Sequence, residues 1–219
     1  MKHFVLLSLL ALVAAPAAAQ TRSIGSLKPA QDRPGISVFA SLDSLSIASS
    51  KTFDAVFGTS KVNVTTAGAD IVNLWKHTFF RVSSGTGSLT GERVVIVNST
   101  VFKLGTKLVV DMKPTEVGAG WRFVSKTGRI TPYIGASAVF LGYKETSDFA
   151  DSLENSNETF KGMAVFGGVD VKLVRQLFVG GEASYRSINT TPAENSAARS
   201  FNEKNFGGTA LRVRLGVKF

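Results

Sequence analysis

Seven charged side chains could do chemistry together. Glu116, Arg122, Asp170, Glu182, Arg186, Arg212 and Arg214 sit among glycines and small residues, each on the parity opposite an alternating apolar run. Carboxylates and guanidiniums arranged like this on successive strands can pair across an enclosed interior or line an ion path. Other chemistry has little material. The chain has two histidines, His3 and His77, and no cysteine, so the usual zinc sites and thiol catalysis lack their ligands. Acid–base catalysis on imidazole would fall to His77, which the pattern puts in a short turn. Residues 145–158 are acidic but lack the D-x-[DN]-x-[DN]-G spacing of a calcium loop, so they read as a solvated loop. No cofactor, metal or catalytic residue is expected.

The elements that must position these charges are strands. Residues 209–219, T-A-L-R-V-R-L-G-V-K-F, put Leu211, Val213, Leu215, Val217 and Phe219 on one parity. Ala210, Arg212, Arg214, Gly216 and Lys218 share the other. A first strand, residues 35–48, alternates Ile36, Val38, Ala40 and Leu42 with Ser37, Phe39, Ser41 and Asp43. A second is expected over 68–74. A third starts at Thr78 and runs through a weak Ser/Gly/Thr zone to Val97. Residues 98–100 turn it into 101–104, so 93–104 reads as a hairpin tip.

The fourth strand, 107–123, alternates Val117, Ala119, Trp121 and Phe123 with Glu116, Gly118, Gly120 and Arg122. Pro114 interrupts it at a bulge or rim, because proline cannot donate to a ladder. The fifth, 129–144, carries Tyr133, Val139, Leu141 and Tyr143 on one parity. The sixth, 159–171, sets Met163, Val165, Val169 and Val171 against Ala164, Phe166, Gly168 and Asp170. The seventh, 176–187, sets Leu177, Val179, Ala183 and Tyr185 against Phe178, Gly180, Glu182, Ser184 and Arg186. The eighth begins near Lys204. Within the long first connection, 49–66, Ser50 could cap one helical turn closed by Gly58.

Residues 1–19 read as a cleavable export signal: basic Lys2 and His3, an apolar run from Phe4 to Ala15, then Ala17, Ala18 and Ala19. That run of 12 falls short of the roughly 20 residues a spanning helix needs. Residues 20–34 form a polar tail with two prolines, and 35–219 one domain. Without Lys2 the chain keeps 24 basic against 16 acidic residues. Export and the scatter of these charges along strands exclude nucleic acid and favour anionic lipid headgroups.

The seven connections run long, short, long, short, long, short, long. A membrane barrel sorts its connections in this way, with short periplasmic turns and long outer loops. The expected fold is therefore all-β, an eight-stranded antiparallel up-and-down transmembrane β-barrel. Assigning the apolar parity to lipid puts the seven charges inside, with Gly118, Gly120, Gly168, Gly180 and Gly216. An interior of eight strands is about wide enough for side chains to fill it. Paired charges would plug it, with Glu182 against Arg212 or Arg214 across neighbouring strands.

The signal, the loop rhythm, the stretches 131–143 (T-P-Y-I-G-A-S-A-V-F-L-G-Y) and 165–171 (V-F-G-G-V-D-V) and the terminal L-R-V-R-L-G-V-K-F resemble the OmpA/OmpX-like small bacterial outer-membrane β-barrels. The resemblance implies that Val213, Leu215, Val217 and Phe219 are the signal read by the outer-membrane barrel assembly machinery. It implies an outer-membrane location among lipid and lipopolysaccharide. The expected function is non-enzymatic: a monomeric structural or surface-interaction barrel, with an extracellular partner for its loops. The alternative is a passive conduit for small hydrophobic molecules, in which Phe53, Val56 and Phe57 of the 49–66 segment close a lateral route.

Overall fold

Alternating side chains carry the chain through eight strands, β1 (Gly35–Ile47), β2 (Lys61–Val72), β3 (Thr78–Val97), β4 (Thr100–Arg122), β5 (Ile130–Ser147), β6 (Asn157–Lys172), β7 (Leu177–Ser187) and β8 (Gly208–Lys218). One helix, α1 (Ser50–Phe57), lies between β1 and β2. The computed structural model describes residues 34–97, 100–124, 129–148, 157–190 and 201–219. The export signal, most of the polar tail, the tip at 98–99 and the centre of the acidic loop lie outside the described residues.

Each strand pairs antiparallel with its sequence neighbour, and β8 returns to β1, closing the barrel. A circuit through directly paired residues shows the stagger: Gly35, Val72, Phe79, Gly120, Gly135, Phe166, Ser184, Ala210 and back to β1 at Leu45, ten residues on. Eight strands with that stagger must tilt by roughly 40° to the axis. Closure leaves no unpaired edge over the lower wall, which is one way an all-β chain protects its backbone.

The wall changes sides along its axis. Towards the end with the short turns, outward residues are apolar: Leu42, Ile71, Phe80, Met163, Leu211 and Leu215 are all exposed. At that level the inward residues are charged. Towards the end with the long loops, the outward residues of β2 are Thr65, Asn63 and Lys61, while Val62 and Val64 point in at 0% and 1% exposure. The inward side chains here form an apolar core of Leu45, Ile47, Val110, Met112, Val139 and Leu141, covered by Phe53 of α1. The belt is thus built for apolar surroundings, and the loop half for water outside and a hydrophobic interior.

This inversion corrects several expectations. Tyr133, Val139, Leu141 and Tyr143 share one apolar parity of the fifth strand, which a lipid-facing assignment would turn outward, yet the first three are 2%, 0% and 2% exposed and point inward. Both parities of β5 are apolar, with Ile134 and Phe140 outside, so its alternation does not reveal which face is which. The second strand starts at Lys61 instead of 68, because K-V-N-V is polar outward and apolar inward above the belt. The fifth runs on through Glu145 to Ser147, and the last begins at Gly208 rather than near 204. Pro114 makes no bulge or rim. It is buried within continuous β4, paired with Leu141, where the β3–β4 ladder skips from Ser84↔Thr115 to Gly87↔Met112 without changing register. The irregularity falls higher, between Glu92 and Val94, opposite Gly105 at φ +69°.

α1 has two turns instead of one. Gly58, at φ 70°, closes it in the left-handed conformation that glycine adopts without strain. No side chain of its own caps its start. Glu203, from the connection before β8, accepts the N–H groups of Lys51 (3.1 Å) and Thr52 (2.8 Å), which helix geometry leaves without partners. Ser49 Oγ donates to the Asn205 carbonyl (2.7 Å), so two connections lock together over the apolar core.

Candidate functional site

Five carboxylates and five guanidiniums are buried among the described residues: Asp43, Asp70, Glu116, Asp170 and Glu182 with Arg81, Arg122, Arg186, Arg212 and Arg214. They alternate in one unbroken chain of ion pairs. Arg122 meets Asp170 (3.3 Å), which meets Arg214 (2.6 Å), which meets Asp70 (3.3 Å). Asp70 meets Arg81 (2.7 Å), which bonds Glu182, and Glu182 meets Arg212 (3.0 Å). Arg212 meets Asp43 (2.7 Å), Asp43 meets Arg186 (3.6 Å), and Arg186 ends the chain on Glu116 (2.6 Å). At the Arg186–Glu116 contact Nη2 comes within ion-pair distance without a hydrogen bond of good geometry.

The chain crosses the lumen instead of following one wall. Its members come from every strand except β5, and β5 supplies Tyr133, whose hydroxyl donates to Glu182 (2.9 Å). All five cations are arginine, whose planar fork holds a carboxylate at two points. Arg212 grips Asp43 through Nε (2.9 Å) and Nη2 (2.7 Å), and Asp43 also accepts Ser41 and Thr66 hydroxyls.

Aromatic rings on the wall are interleaved with these charges. The Arg81 guanidinium stands 5.3 Å from the rings of Phe39, Phe79 and Tyr133 and 4.9 Å from that of Phe166. Arg214 stands 4.6 Å from Tyr133, 5.1 Å from Phe39 and 5.4 Å from Phe178. Cations over ring faces gain electrostatic stabilisation that grows as water is removed. Each ring is seated on the glycine directly opposite: Phe39 on Gly68, Phe79 on Gly120, Phe166 on Gly135, Tyr133 on Gly168 and Phe178 on Gly216. A Cβ on Gly68 would come 2.5 Å from the Phe39 ring, and one on Gly216 2.5 Å from Phe178. The glycines let rings lie flat on the wall so that the guanidiniums fit above them.

All seven charges read from the sequence point inward, and Glu182 pairs with Arg212, while Arg214 goes to Asp170 and Asp70. Asp43, Asp70 and Arg81 were missed. Their signal was present, since each occupies the same inward parity on β1, β2 or β3 that marks the charges of β6 to β8. His77 stands in the β2–β3 turn, edge-on to Trp121 at 5.8 Å. Every one of the five carboxylates is held by a guanidinium, an arrangement suited to filling space neutrally and unsuited to exchanging protons with a substrate.

No family model matches the chain, and no curated protein matches it. Solved structures do share its architecture. OprG of Pseudomonas aeruginosa aligns with a TM-score of 0.50 at 12% identity, covering 86% of this chain and 97% of that one. The N-terminal β-barrel domain of Pseudomonas aeruginosa OprF aligns at 0.49 and 10%, covering 85% and 100%. Ail, the attachment invasion locus protein of Yersinia pestis, solved with the heparin analogue sucrose octasulfate, aligns at 0.47 and 10%, covering 85% and 97%. At these identities the likeness is one of fold: the chain has the architecture of the small eight-stranded outer-membrane barrels of the OmpA/OmpX type.

Proposed function

We propose that the protein is a non-enzymatic outer-membrane barrel, exported by its leader, closed to solutes, and acting through the surface it presents beyond the membrane. The observation that carries this reading is the change of sides in the wall. An exposed belt including Leu42, Met163, Leu211, Val213 and Leu215 around a charged interior has its natural solvent in lipid. The ion-pair chain and the apolar core above it fill the lumen in series. In this reading Val213, Leu215, Val217 and Phe219 serve the assembly machinery, and the monomer sits among lipid and lipopolysaccharide.

The upper β3–β4 hairpin supports the interaction role. It rises beyond the last β4–β5 pair, Leu108↔Ser147, and exposes Val95, Val97, Val101, Phe102 and Leu104. Its free backbone edges can add a strand from a partner. Purified protein in planar bilayers should show no long-lived openings of defined conductance. Deleting residues 93–104 should leave a heat-modifiable barrel without surface binding. Steady conductance, or loss of barrel folding on deletion, would overturn the respective part.

One observation favours a second reading, a conduit for small hydrophobic molecules. The β2–β3 ladder stops at Thr65↔Thr86, and above it α1 packs against β3, where a Cβ on Gly91 would come 2.7 Å from the Phe57 ring. A fatty ligand bound between α1 and the wall would favour the conduit.

A further inference from the structure

The basic excess of the chain has a location. Interior charges cancel, five against five. At the loop end both signs mix, as in Asp111 directly across from Lys144. At the turn end they do not. Outside the interior network, the ionisable side chains described on the turns and strand ends there are Lys76, His77, Arg129, Lys172, Arg175 and Lys218, and apart from the Phe219 carboxylate no described acid stands among them. The interior carboxylates toward this end are already gripped, Asp170 by Arg214 and Arg122 and Asp70 by Arg81 and Arg214.

These cations alternate with large apolar side chains that point outward past the strands. Leu74 and Trp75 are 59% and 69% exposed in the β2–β3 turn, and Phe123, Leu173 and Val174 are exposed at the other two turns. Lys76 Nζ lies 5.4 Å over the Trp75 ring. An apolar body beside a flexible cation is the arrangement of a side chain placed where hydrocarbon gives way to headgroups.

We infer that the turn-end rim is a binding belt for anionic phospholipid headgroups of the phosphatidylglycerol class, with Lys76, Lys172 and Arg175 as its principal contacts. The phosphodiester accepts from ammonium and guanidinium groups while the acyl chains lie against Trp75, Leu173 and Val174. This rests on the membrane-barrel reading above.

The chain carries its own reporter, because its two tryptophans, Trp75 and Trp121, both stand at this end: Trp121 pairs with Thr78 beside the turn that holds Trp75. The full chain is reconstituted in phosphatidylcholine bilayers containing an equal small fraction of either brominated phosphatidylglycerol or brominated phosphatidylcholine. Quenching of the tryptophans then gives the relative affinity of the rim for each lipid. The anionic lipid should be preferred at least about tenfold, the preference should fall with salt, and Lys76→Gln, Lys172→Gln and Arg175→Gln together should abolish it. Single Arg175→Gln and Lys76→Gln variants should each lose part of it, which keeps the test open if the triple variant does not fold. Equal quenching by both lipids, or a preference that survives the triple substitution in a heat-modifiable barrel, overturns the inference and leaves the membrane reading intact. Loss of the preference in millimolar inorganic phosphate, but not in chloride of equal ionic strength, also overturns it, in favour of a free-anion site. Quenching by neither lipid sinks both.

Discussion

Arg214 and Asp170 lock as fork on carboxylate, with Nε 2.9 Å and Nη2 2.7 Å from Oδ1 and Nη2 2.6 Å from Oδ2, between the rings of Tyr133 and Phe178. Asp170 also holds Arg122, so one carboxylate serves two cations. Asp170→Asn should therefore destabilise the barrel by about 3–5 kcal/mol, the cost of leaving a buried charge uncompensated. Denaturant unfolding in detergent micelles measures it. The double variant Asp170→Leu, Arg214→Met should recover part of the loss, because it removes Arg214 with its carboxylate and leaves only Arg122 without Asp170. A double variant no more stable than the single one would show that the pair itself, and not the uncompensated charge, carries the stability.

The glycine seats are tested by filling one. Gly120→Val brings a Cβ to 2.2 Å from the Ile134 carbonyl oxygen and 2.6 Å from the Phe79 ring, and should cost about 1–3 kcal/mol. Phe79→Ala in the same chain should relieve part of that cost, so the two effects should fall short of additive in unfolding experiments.

Glu203 holds the start of α1 from the neighbouring β7–β8 connection. Glu203→Ala should cost about 1 kcal/mol, as the loss of a helix cap does. Hydrogen exchange at the Lys51 and Thr52 amides should accelerate while the β7–β8 ladder keeps its protection. Uniform acceleration would mean that the helix and the wall unfold as one unit.

Glu145 stands on the loop-end extension of β5, outside the apolar belt. Burial raises its pKa, Arg93 opposes that, and Glu158 reinforces it. A carboxyl raised in the folded state binds its proton more tightly folded than unfolded. Its contribution is thus fully present below the unfolded value of about 4.3 and is lost as pH rises through the folded one. Wild-type protein should gain stability from this group as pH falls from neutral toward that value. Glu145→Gln should be more stable than wild type at pH 7 and lack that part of the profile.

The belt was legible because β4, β6, β7 and β8 each pair an apolar parity with a polar one, as Val213 and Leu215 do with Arg212 and Arg214. Closure and the turn end followed from loop lengths. The loop half was not legible, because its interior is apolar and its exterior polar, so K-V-N-V at Lys61 read as loop and β5 read inside out. Asp43, Asp70 and Arg81 lie among uncharged inward neighbours such as Ser41, Val72 and Phe79, which hid the charged parity. Long-range pairing such as Arg81 with Glu182, between β3 and β7, depends on strands facing each other across the lumen, and no local pattern encodes that.

The absence of native cysteine allows the most direct measurement. Single cysteines are placed at Leu42, Met163 and Leu211 in the belt and at Lys61, Asn63 and Thr65 on the outer face of the loop half. Each variant is reconstituted in phospholipid vesicles and labelled with a membrane-impermeant maleimide. A lipid-embedded belt predicts rapid labelling at 61, 63 and 65 and protection at 42, 163 and 211 until detergent is added. Equal labelling at both levels in vesicles would contradict the membrane barrel.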